Sequence, residues 1–470
     1  MSLPTSNPFK TSTSESFSVV LVCLCVYCCL FALYAALPPT RNPHSIQYFL
    51  LLVSAHSICG VVLFSVLREH QQYSGFLMIA VFLCSRIAVF PMQPWLSDDA
   101  WRYLWDGKLL ASGINPYTFP PNASELAVFG AATSELYAHL DYRHLTTIYP
   151  PLAQYVFAVA ANIGSVFTPS LWGAYWSWKA LLLASEGIGL WCVWRTLVAQ
   201  KRHTTWLWAY ICLPLTALEG VGQAHVDSLL LAPLGALVVV LAKAIIVESR
   251  REALLLALLA GALVAMLGAI KILPLALALP LLRFRRTPQE RLMIVGSLAM
   301  VSCGLWVSLF SQWSIAESFL HTASATTQAF QFNGGFYYAL CYACVMLGFE
   351  HFWLYTPMIF SALRLFAVLV VSFWTKPSND DVFRALLATF CVVLLVSAKV
   401  HTWYFLPLLL LNSLIGWKWL YVLALGSMLS YSYYAVLPAQ ERYDLEMAVW
   451  MAAALAGVVE WYWVRAKPEE

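Results

Sequence analysis

Long apolar runs, close to the length of membrane-spanning helices, recur along the whole of this 470-residue chain. The first three occupy residues 18–36, 48–66 and 76–90. A helix needs about 20 apolar residues to cross a bilayer, and lipid tolerates only helices and closed barrels, whose backbone groups are all hydrogen-bonded. The sequence has no stretch in which polar and apolar residues alternate as they do in β-strands. The sequence therefore predicts an all-α, polytopic membrane protein with about 13–14 transmembrane helices.

The longest hydrophilic stretch, residues 91–149, is too short for a separate soluble domain. We therefore expect one integral membrane domain over residues 1–470, with N-terminal helices in 1–92, a loop in 93–150 and the remaining helices in 151–470. Charged residues make up 11% of the chain against 61% hydrophobic ones, and the net charge is +3. That balance favours membrane lipid as a partner and gives no reason to expect nucleic acid.

Lysine and arginine residues in short loops indicate the cytoplasmic side of such a protein. Arg68, Arg202, Arg250 and Arg285 are among the cations that mark it here. Three crossings from a cytoplasmic N-terminus then leave residues 93–150 outside. Conspicuous polar residues near later helix ends fall on the same side, so we expect the chemistry to be extracytoplasmic.

Three apolar segments do not fit a simple crossing. Residues 152–167 follow Tyr-Pro-Pro and residues 336–348 follow Asn-Gly-Gly; full crossings would put later cations on the wrong side, so we expect short re-entrant or interfacial helices. Residues 252–282 lie between arginines at both ends. We expect this third segment to form a hairpin broken at Pro274, with Lys271 at its outer tip.

The segment LSDDAWRYLWDGKLLASGINPY, residues 96–117, places acids and bases beside apolar sequence. Ser97 is a typical N-cap, and two acids follow it in the first turn of a helix that Gly113 would end. An apolar stripe recurs every four residues at Trp101, Trp105 and Leu109. This pattern predicts an amphipathic helix in the outer interface, with its aromatic face towards lipid or protein.

Asp98 and Asp99 are the strongest catalytic candidates in this segment. One acid suffices to cap a helix, and two adjacent acids at a membrane boundary favour a raised pKa, which suits a general base. Asp98, Arg102 and Asp106 also follow one another at spacings of four, so an ion-pair ladder on one helix face is the alternative. For Arg102 and Asp106 we favour the ion pair.

A second polar segment, PLTALEGVGQAHVDSL, contains Glu219, His225 and Asp227 within nine residues, where one helix ends and another begins. These side chains could bind a metal. Because the spacing of His225 and Asp227 is common by chance, we favour a hydrogen-bonded network that positions a sugar or a phosphate. Capping of the following helix by Asp227 is a further alternative.

Lys271 and His401 are isolated polar residues in very apolar surroundings. An ammonium group there is costly unless it meets an anion or reaches the interface along its own stem, and the sequence leaves both possibilities open. His401 begins the segment HTWYFLP, in which an aromatic belt accounts for Trp403 and Tyr404. Tyr149 lies in turn sequence that shapes the outer loop.

An ordered series of segments resembles the C-type (GT-C) glycosyltransferases, and in particular the bacterial polyprenyl-phosphate-mannose-dependent α-mannosyltransferases of glycosyltransferase family 87. The series is SDDAWRYLWDGKLLASGINPY, IYPPLAQ, PLTALEGVGQAHVDSL, KILPLALALP, NGG and VHTWYFLPLL, between about residue 95 and residue 410. The first segment is fairly specific, and the others gain weight from their order. The chain departs from many such enzymes at its start, where three helices rather than one precede the loop.

The resemblance implies a metal-independent, cofactor-free, inverting transfer of a sugar, with mannose as the implied sugar, from a polyprenyl-phosphate lipid to a glycan or glycolipid acceptor. Asp98 or Asp99 would deprotonate the acceptor hydroxyl. The implied cations for the departing phosphate are, in order, Lys271, Arg102 and His401. The other implied donor-site residues are Tyr149, Glu219, His225 and Asp227. The implied location is a bacterial inner membrane, with the active site facing the periplasm.

Two other kinds of function are compatible with a polytopic helical chain. A secondary transporter would need coupling carboxylates near the bilayer midplane and internal symmetry, whereas the acids here cluster at outer helix ends. A flippase, or a ligase that transfers a whole lipid-linked glycan, would share the fold and stays an alternative.

Overall fold

The computed structural model describes residues 13–69, 74–168, 170–285, 287–329, 331–349, 351, 355–374, 381–435 and 443–466. Within these residues the chain is helical, and its β pairing is limited to one isolated bridge between Phe332 and Lys399. The predicted all-α fold is therefore confirmed.

The helices follow one another along the chain with mostly short connections. The first eight are α1 (Thr13–Ala36), α2 (Pro43–Glu69), α3 (Ser74–Val89), α4 (Asp99–Ala111), α5 (Ala127–Ala132), α6 (Ser134–Ala138), α7 (Pro151–Phe167) and α8 (Leu171–Ala199). The next six are α9 (Thr205–Cys212), α10 (Pro214–Ala217), α11 (Leu231–Ile246), α12 (Arg250–Ile270), α13 (Ala278–Phe284) and α14 (Pro288–Leu309). The last seven are α15 (Trp313–Ala329), α16 (Gly335–Met346), α17 (Thr356–Trp374), α18 (Asp381–Leu395), α19 (Phe405–Asn412), α20 (Lys418–Ser427) and α21 (Tyr443–Ala466).

Short turns of tighter or wider helix connect several of these elements. The 3-10 turns are Ser124–Leu126, Val226–Leu230, Leu273–Leu277, Thr402–Tyr404 and Met428–Ala435. Leu218–Gly222 forms a π turn directly after α10.

Seven helices in the described residues are long and apolar enough to cross a membrane. Their apolar spans are Val19–Ala36, Pro43–Arg68, Leu171–Ala199, Val226–Ile246, Arg250–Ile270, Pro288–Leu309 and Tyr443–Trp463. Seven further apolar helices of 10–17 residues accompany them. The chain is therefore a polytopic membrane protein, and the number of crossings stays a prediction because the shorter helices do not reach the length of a full span.

The three irregular segments are helical, and two of them begin close to the expected residues. α7 begins at Pro151 and has 17 residues, and α16 begins at Gly335 and has 12. In the hairpin the break lies at Lys271, whose extended backbone ends α12, while Pro274 sits in the first turn of the following element. Proline at a first helical turn costs no hydrogen bond, so the chain breaks just before it. The re-entrant course of α7 and α16 stays a prediction.

α4 is enclosed by other parts of the protein. Eight of its 13 residues are buried. Trp101 stacks on Tyr175 of α8 at 5.7 Å between ring centroids, and Trp105 meets Phe129 edge-on at 5.1 Å. Gly107 brings the α4 backbone directly against α7, because a Cβ at this position would collide with the backbone of Phe157. The aromatic face of the predicted amphipathic helix therefore packs on protein.

A buried ion pair that the sequence analysis did not single out joins α3 to α8. Arg86 Nη2 lies 2.7 Å from Glu186 Oε1, and both side chains are fully buried. Thr216 accepts from Arg86 Nη2 at 2.8 Å, and Tyr210 donates to Glu186 Oε1 at 3.0 Å. Ionised groups inside spanning helices are costly unless they are paired and hydrogen-bonded. This network satisfies both charges and fixes the two helices against each other.

We expect Arg86→Leu to destabilise the protein by about 3–5 kcal/mol, because it leaves Glu186 buried without its partner. The double variant Arg86→Leu/Glu186→Leu removes both charges and should recover most of that loss. Thermal unfolding of the three proteins in the same detergent measures the difference. If the single variant is as stable as the double variant, Glu186 does not need Arg86 as its partner in the buried state.

Candidate active site

The first turn of α4 directs its two acids to different surroundings. Ser97 Oγ accepts from the backbone N–H of Asp99 at 3.2 Å, as the predicted N-cap would, although the helix starts one residue later, with Asp98 at the cap position. Asp98 Oδ1 lies 3.7 Å from Arg41 Nη2 in the connection between α1 and α2. Asp99 Oδ2 instead lies 3.9 Å from His225 Nδ1. The paired acids are therefore not equivalent.

The surroundings of Asp98 raise its pKa to about 6. Burial is the largest cause, and the negative charges of Asp99 and Asp141 add to it, while Arg41 opposes them. An acid with such a pKa is protonated over part of the physiological range. The raised pKa expected for one of two adjacent acids is therefore found at Asp98.

Glu219 and His225 meet in the interior beside the π turn Leu218–Gly222. His225 Nε2 lies 3.3 Å from Glu219 Oε2, and both side chains are fully buried. The hydroxyl of Tyr431 lies 3.0 and 3.1 Å from the two oxygens of Glu219, to which it can donate its proton. π turns in helical proteins occur frequently at functional sites because they displace one residue from the regular ladder. Here the displaced turn presents Glu219 to the imidazole of His225.

The connection that carries His225 is held by α8 and by the segment before α4. Ala224 has a left-handed backbone (φ +62°), which is uncommon for a residue with a Cβ. Its carbonyl accepts from Trp178 Nε1 at 2.9 Å. Gln223 Oε1 accepts the backbone N–H groups of Trp95 and Leu96, both at 3.0 Å. Because Leu96 lies three residues before Asp99, Gln223 fixes the two acids of α4 relative to His225.

Lys271 and Asp227 form a close ion pair. Lys271 Nζ lies 2.7 and 2.9 Å from the two oxygens of Asp227, and it also lies 3.5 Å from the centre of the Tyr404 ring. The Asp227 side chain is 2% exposed, whereas that of Lys271 is 22% exposed. The ammonium group therefore meets an anion, as one of the two sequence alternatives required.

The three candidate metal ligands of the second polar segment do not converge. Asp227 turns to Lys271, while Glu219 and His225 turn to each other. Within the part of the chain that the structure describes, no group of three or more His, Cys, Asp or Glu side chains could hold a metal ion. The arrangement is instead that of a charged network.

A column of stacked rings closes one side of His225. Its ring lies 3.7 Å from that of Trp403, at an angle of 14°, and Trp403 lies 4.2 Å from His401 at 6°. Phe332 continues the column at 5.1 Å from His401. The interpretation of Trp403 and Tyr404 as an aromatic belt is therefore wrong, since Trp403 packs between two histidines and Tyr404 faces Lys271. Periodicity alone does not distinguish a ring facing lipid from one facing protein.

His401 is an unfavourable site for a positive charge. Burial lowers the pKa of its imidazole well below the usual value, and the charges of Lys399 and Lys271 lower it further. A neutral imidazole at this position can accept or donate a hydrogen bond, and a role for His401 as the implied cation stays a prediction.

Arg102 and Asp106 form the ion pair that the alternative reading required. Arg102 Nε lies 2.9 Å from Asp106 Oδ1, and Arg102 Nη1 donates to the Leu145 carbonyl at 3.0 Å. Gln154 of α7 donates to the other oxygen of Asp106 at 3.2 Å. These contacts hold α4, the loop and α7 together, and a role for Arg102 in donor binding stays a prediction.

Tyr149 lies beside α4, close to Asp99. Its ring lies 4.8 Å from that of Tyr103, and burial and the negative charge of Asp99 raise the pKa of its phenol well above the usual value. The turn chemistry expected here is also present, because Tyr149 precedes the prolines that begin α7. Tyr149 is therefore in a position to meet a ligand bound at Asp99.

Four residues of this region escaped the sequence analysis: Arg41, Gln223, Lys399 and Tyr431. Lys399 Nζ donates to the Thr326 carbonyl at 3.0 Å, and burial and Lys271 lower its pKa to about 8, against the opposing effect of Asp99. A signal existed for two of them. Arg41 is a cation in a connection expected outside, and Lys399 stands two residues before the conspicuous His401. Gln223 and Tyr431 carry no such signal, because their roles depend on tertiary contacts.

An open, apolar cleft borders the Lys271–Asp227 pair. Leu273 and Pro274 line it on one side, and side chains of α18 and α19 line it on the other, among them Phe390, Leu394 and Leu408. The lining of this cleft is mostly apolar, and its charged members are Lys271 and Asp227. Such a site suits an amphiphile with an apolar chain and an anionic head.

Comparison with known proteins identifies the family of the chain. No curated protein matches the chain. A family model described as alpha-(1->6)-mannopyranosyltransferase, N-terminal domain, matches residues 38–287, more than half of the sequence. The match runs from the connection between α1 and α2 to the end of the Lys271 hairpin, and it includes Asp98, Asp99 and Glu219. The chain therefore belongs to the MptA_B family of alpha-(1->6)-mannopyranosyltransferases, and it is a polytopic membrane mannosyltransferase.

Proposed function

We propose that this mannosyltransferase transfers mannose from a polyprenyl-phosphate lipid to a hydroxyl group of a glycan or glycolipid acceptor, with inversion at the anomeric carbon. The reaction takes place on the extracytoplasmic face of a bacterial inner membrane. The observation that carries the proposal is the apolar cleft that borders Lys271, with Asp99 close enough to act on the charge of that lysine. Family membership favours an enzyme over the transporter and flippase alternatives.

The donor lipid is proposed to lie in the cleft, with its phosphate at Lys271. Nucleotide sugars are not available on the outer side, so a lipid-linked sugar is the reasonable source of activated mannose there. The phosphate competes with Asp227 for the ammonium group of Lys271, whose side chain is partly exposed. Lys399, which interacts with both Asp99 and Lys271, adds a second positive charge to the same region. Two cations stabilise the charge that develops on a departing phosphate.

Asp99 is proposed as the general base. It takes the proton of the acceptor hydroxyl while that oxygen forms a bond to the anomeric carbon, and the bond from this carbon to the phosphate oxygen breaks with its electron pair. Attack opposite the phosphate converts a β-linked donor into an α-linked product. Asp99 rather than Asp98 is favoured because Asp99 interacts electrostatically with His225, Lys271 and Lys399. Asp98 lies towards Arg41 instead.

The other polar residues are proposed to shape the site around this reaction. Tyr149 lies near Asp99 and offers a hydroxyl to the sugar. Arg102 holds the loop through Asp106 and thereby fixes the direction of α4. In this proposal Arg102 and the neutral His401 orient groups, while the lysines supply the positive charge.

The proposal is tested by giving the purified protein, in liposomes, several mannose donors with an α-(1→6)-linked mannose oligosaccharide as acceptor. We expect extension of the oligosaccharide by one α-linked mannose with polyprenyl-phosphate-mannose and none with GDP-mannose. Polyprenyl-phosphate-glucose is the matched donor that tests the sugar. Mass spectrometry measures the product, and its NMR spectrum gives the anomeric configuration. Transfer from GDP-mannose alone, or a β-linked product, would contradict the donor or the inverting mechanism.

A further inference from the structure

His225 lies between two carboxylates, and its role is not explained by ligand binding alone. Its Nδ1 faces Asp99 Oδ2 at 3.9 Å, and its Nε2 faces Glu219 Oε2 at 3.3 Å. We propose that Asp99, His225 and Glu219 form a proton-accepting triad, in which His225 and Glu219 act as positioning residues behind the base. This inference rests on the proposed role of Asp99 and adds to it.

The surroundings of His225 are suited to a group that accepts a proton during the reaction. The imidazole is fully buried, and neither of its nitrogens has a hydrogen-bond partner within the described residues. Buried polar groups are nearly always hydrogen-bonded, so an orphaned imidazole calls for an explanation. Each nitrogen lies near a carboxylate oxygen, at 3.9 Å for Nδ1 and 3.3 Å for Nε2, without the alignment of a hydrogen bond. A small approach of Asp99 when substrate binds would complete the chain, as happens when catalytic hydrogen bonds tighten in a substrate complex.

Several contacts hold the ring in the required orientation. Trp403 stacks flat on one face of His225 at 3.7 Å, and His401 backs Trp403 in turn. The hydroxyl of Tyr431 lies within hydrogen-bond distance of both oxygens of Glu219, so this carboxylate cannot easily turn away from the ring. Ala224, just before His225, has a strained left-handed backbone that helps to set the direction of the His225 side chain.

The triad gives the abstracted proton a defined path. With a proton on Nε2 facing Glu219, the lone pair of Nδ1 faces Asp99. When the bond between acceptor oxygen and anomeric carbon forms and the bond to the phosphate breaks, the hydroxyl proton moves to Asp99 and is shared with Nδ1. The resulting imidazolium lies between two carboxylates, which stabilise it. The proton returns through Asp99 when the products leave, and it departs with the polyprenyl phosphate or to solvent, so no other reactant is needed.

The charged and titratable groups that face His225 come from four elements. α4 supplies Asp99, the π turn supplies Glu219, and the 3-10 turn after His225 supplies Asp227, whose charge interacts with the imidazole. His401 faces it across Trp403, with its pKa lowered by burial and by neighbouring cations. Acids therefore dominate the charged groups around the imidazole, and removal of one of them changes the charge that faces the ring. We expect an acid limb in the pH dependence of kcat that depends on Glu219.

The test is the pH dependence of kcat for Glu219→Gln and His225→Gln, with Trp178→Phe as the structural control. Glu219→Gln keeps the shape and the contact to Tyr431 but removes the charge that stabilises the imidazolium. We expect kcat to fall about tenfold or more and the acid limb to move to lower pH by about one unit. In His225→Gln the limb that depends on histidine disappears. Trp178→Phe removes the hydrogen bond to the Ala224 carbonyl, so it loosens the same connection without moving the limb.

The outcomes separate this inference from the proposed function. If Glu219→Gln and His225→Gln lower kcat but keep the limb of the parent protein, as Trp178→Phe does, the two residues are structural and the triad is wrong. If Asp99→Asn keeps full activity, the proposed base itself is wrong. Should His225→Gln fail to fold, as judged by thermal unfolding in detergent, the isosteric Glu219→Gln still decides the question.

Discussion

Asp99→Asn should lower kcat for mannosyl transfer by about 10²–10⁴-fold, the usual contribution of a positioned general base. An amide has the same shape as the carboxylate but cannot take the proton of the acceptor hydroxyl at neutral pH. The Michaelis constant for the lipid donor should change little, because the proposed role of Asp99 concerns the acceptor hydroxyl and not the donor phosphate. Initial rates at saturating donor and acceptor measure both quantities.

Asp98→Asn is the matched control, since it makes the same chemical change one residue away. We expect it to lower kcat less than tenfold, because Asp98 pairs with Arg41 and does not contact His225. The competing hypothesis is that Asp98 is the base, and it is supported by the pKa of Asp98, which burial and Asp99 raise to about 6. If Asp98 were the base, Asp98→Asn would cause the larger loss and Asp99→Asn the smaller one. That result would reverse our assignment while leaving the lipid-linked reaction intact.

Features that depend on local sequence were predictable. Ser97 accepts from the backbone N–H of Asp99, where α4 begins one residue later than predicted, and Gly113 has a left-handed backbone (φ +80°) just after the helix ends. The spacing of Arg102 and Asp106 on one helix face predicted the ion pair that they form. Each of these features involves residues within a few positions of one another, where helix geometry alone decides which groups meet.

The composition of the site was predictable only in part. The sequence predicted that Asp99, His225 and Lys271 lie on one side of the membrane. The pairing of Lys271 with Asp227, 44 residues away, and the position of Asp99 beside His225 depend instead on how distant segments pack. The buried network of Arg86 and Glu186 was missed for the same reason, since its members lie 100 residues apart. A single sequence carries no information on such distances beyond the sidedness of each helix end.

The environment of aromatic residues was the least predictable property. Trp403 has the position and neighbours of an interfacial anchor, yet it is 7% exposed and lies between two histidines. Tryptophan is amphipathic, so the same residue suits a lipid headgroup region and a protein interior next to polar groups. The environment of the ring depends on whether another part of the protein covers it. Here His225, in the connection before α11, covers the ring of Trp403.

Lys271→Met should have the second large effect, with a fall in kcat of about 10²–10³-fold as the departing phosphate loses its main positive charge. A direct test is ambiguous, because the same change strands Asp227 in a buried position without its partner. Removal of one member of a buried pair costs about 3–5 kcal/mol of stability. The loss of activity from a poorly folded protein would then resemble a catalytic defect.

The double variant Lys271→Met/Asp227→Asn separates the two effects. It removes the stranded charge, so thermal unfolding in detergent should return close to that of the parent protein. Transfer should stay low, because the phosphate still meets no ammonium group. Asp227→Asn alone keeps the lysine and relieves its competition with the donor phosphate, so it should retain transfer and lower the Michaelis constant for the lipid donor. If the double variant recovers transfer together with stability, Lys271 serves only to neutralise Asp227, and the phosphate must be bound elsewhere.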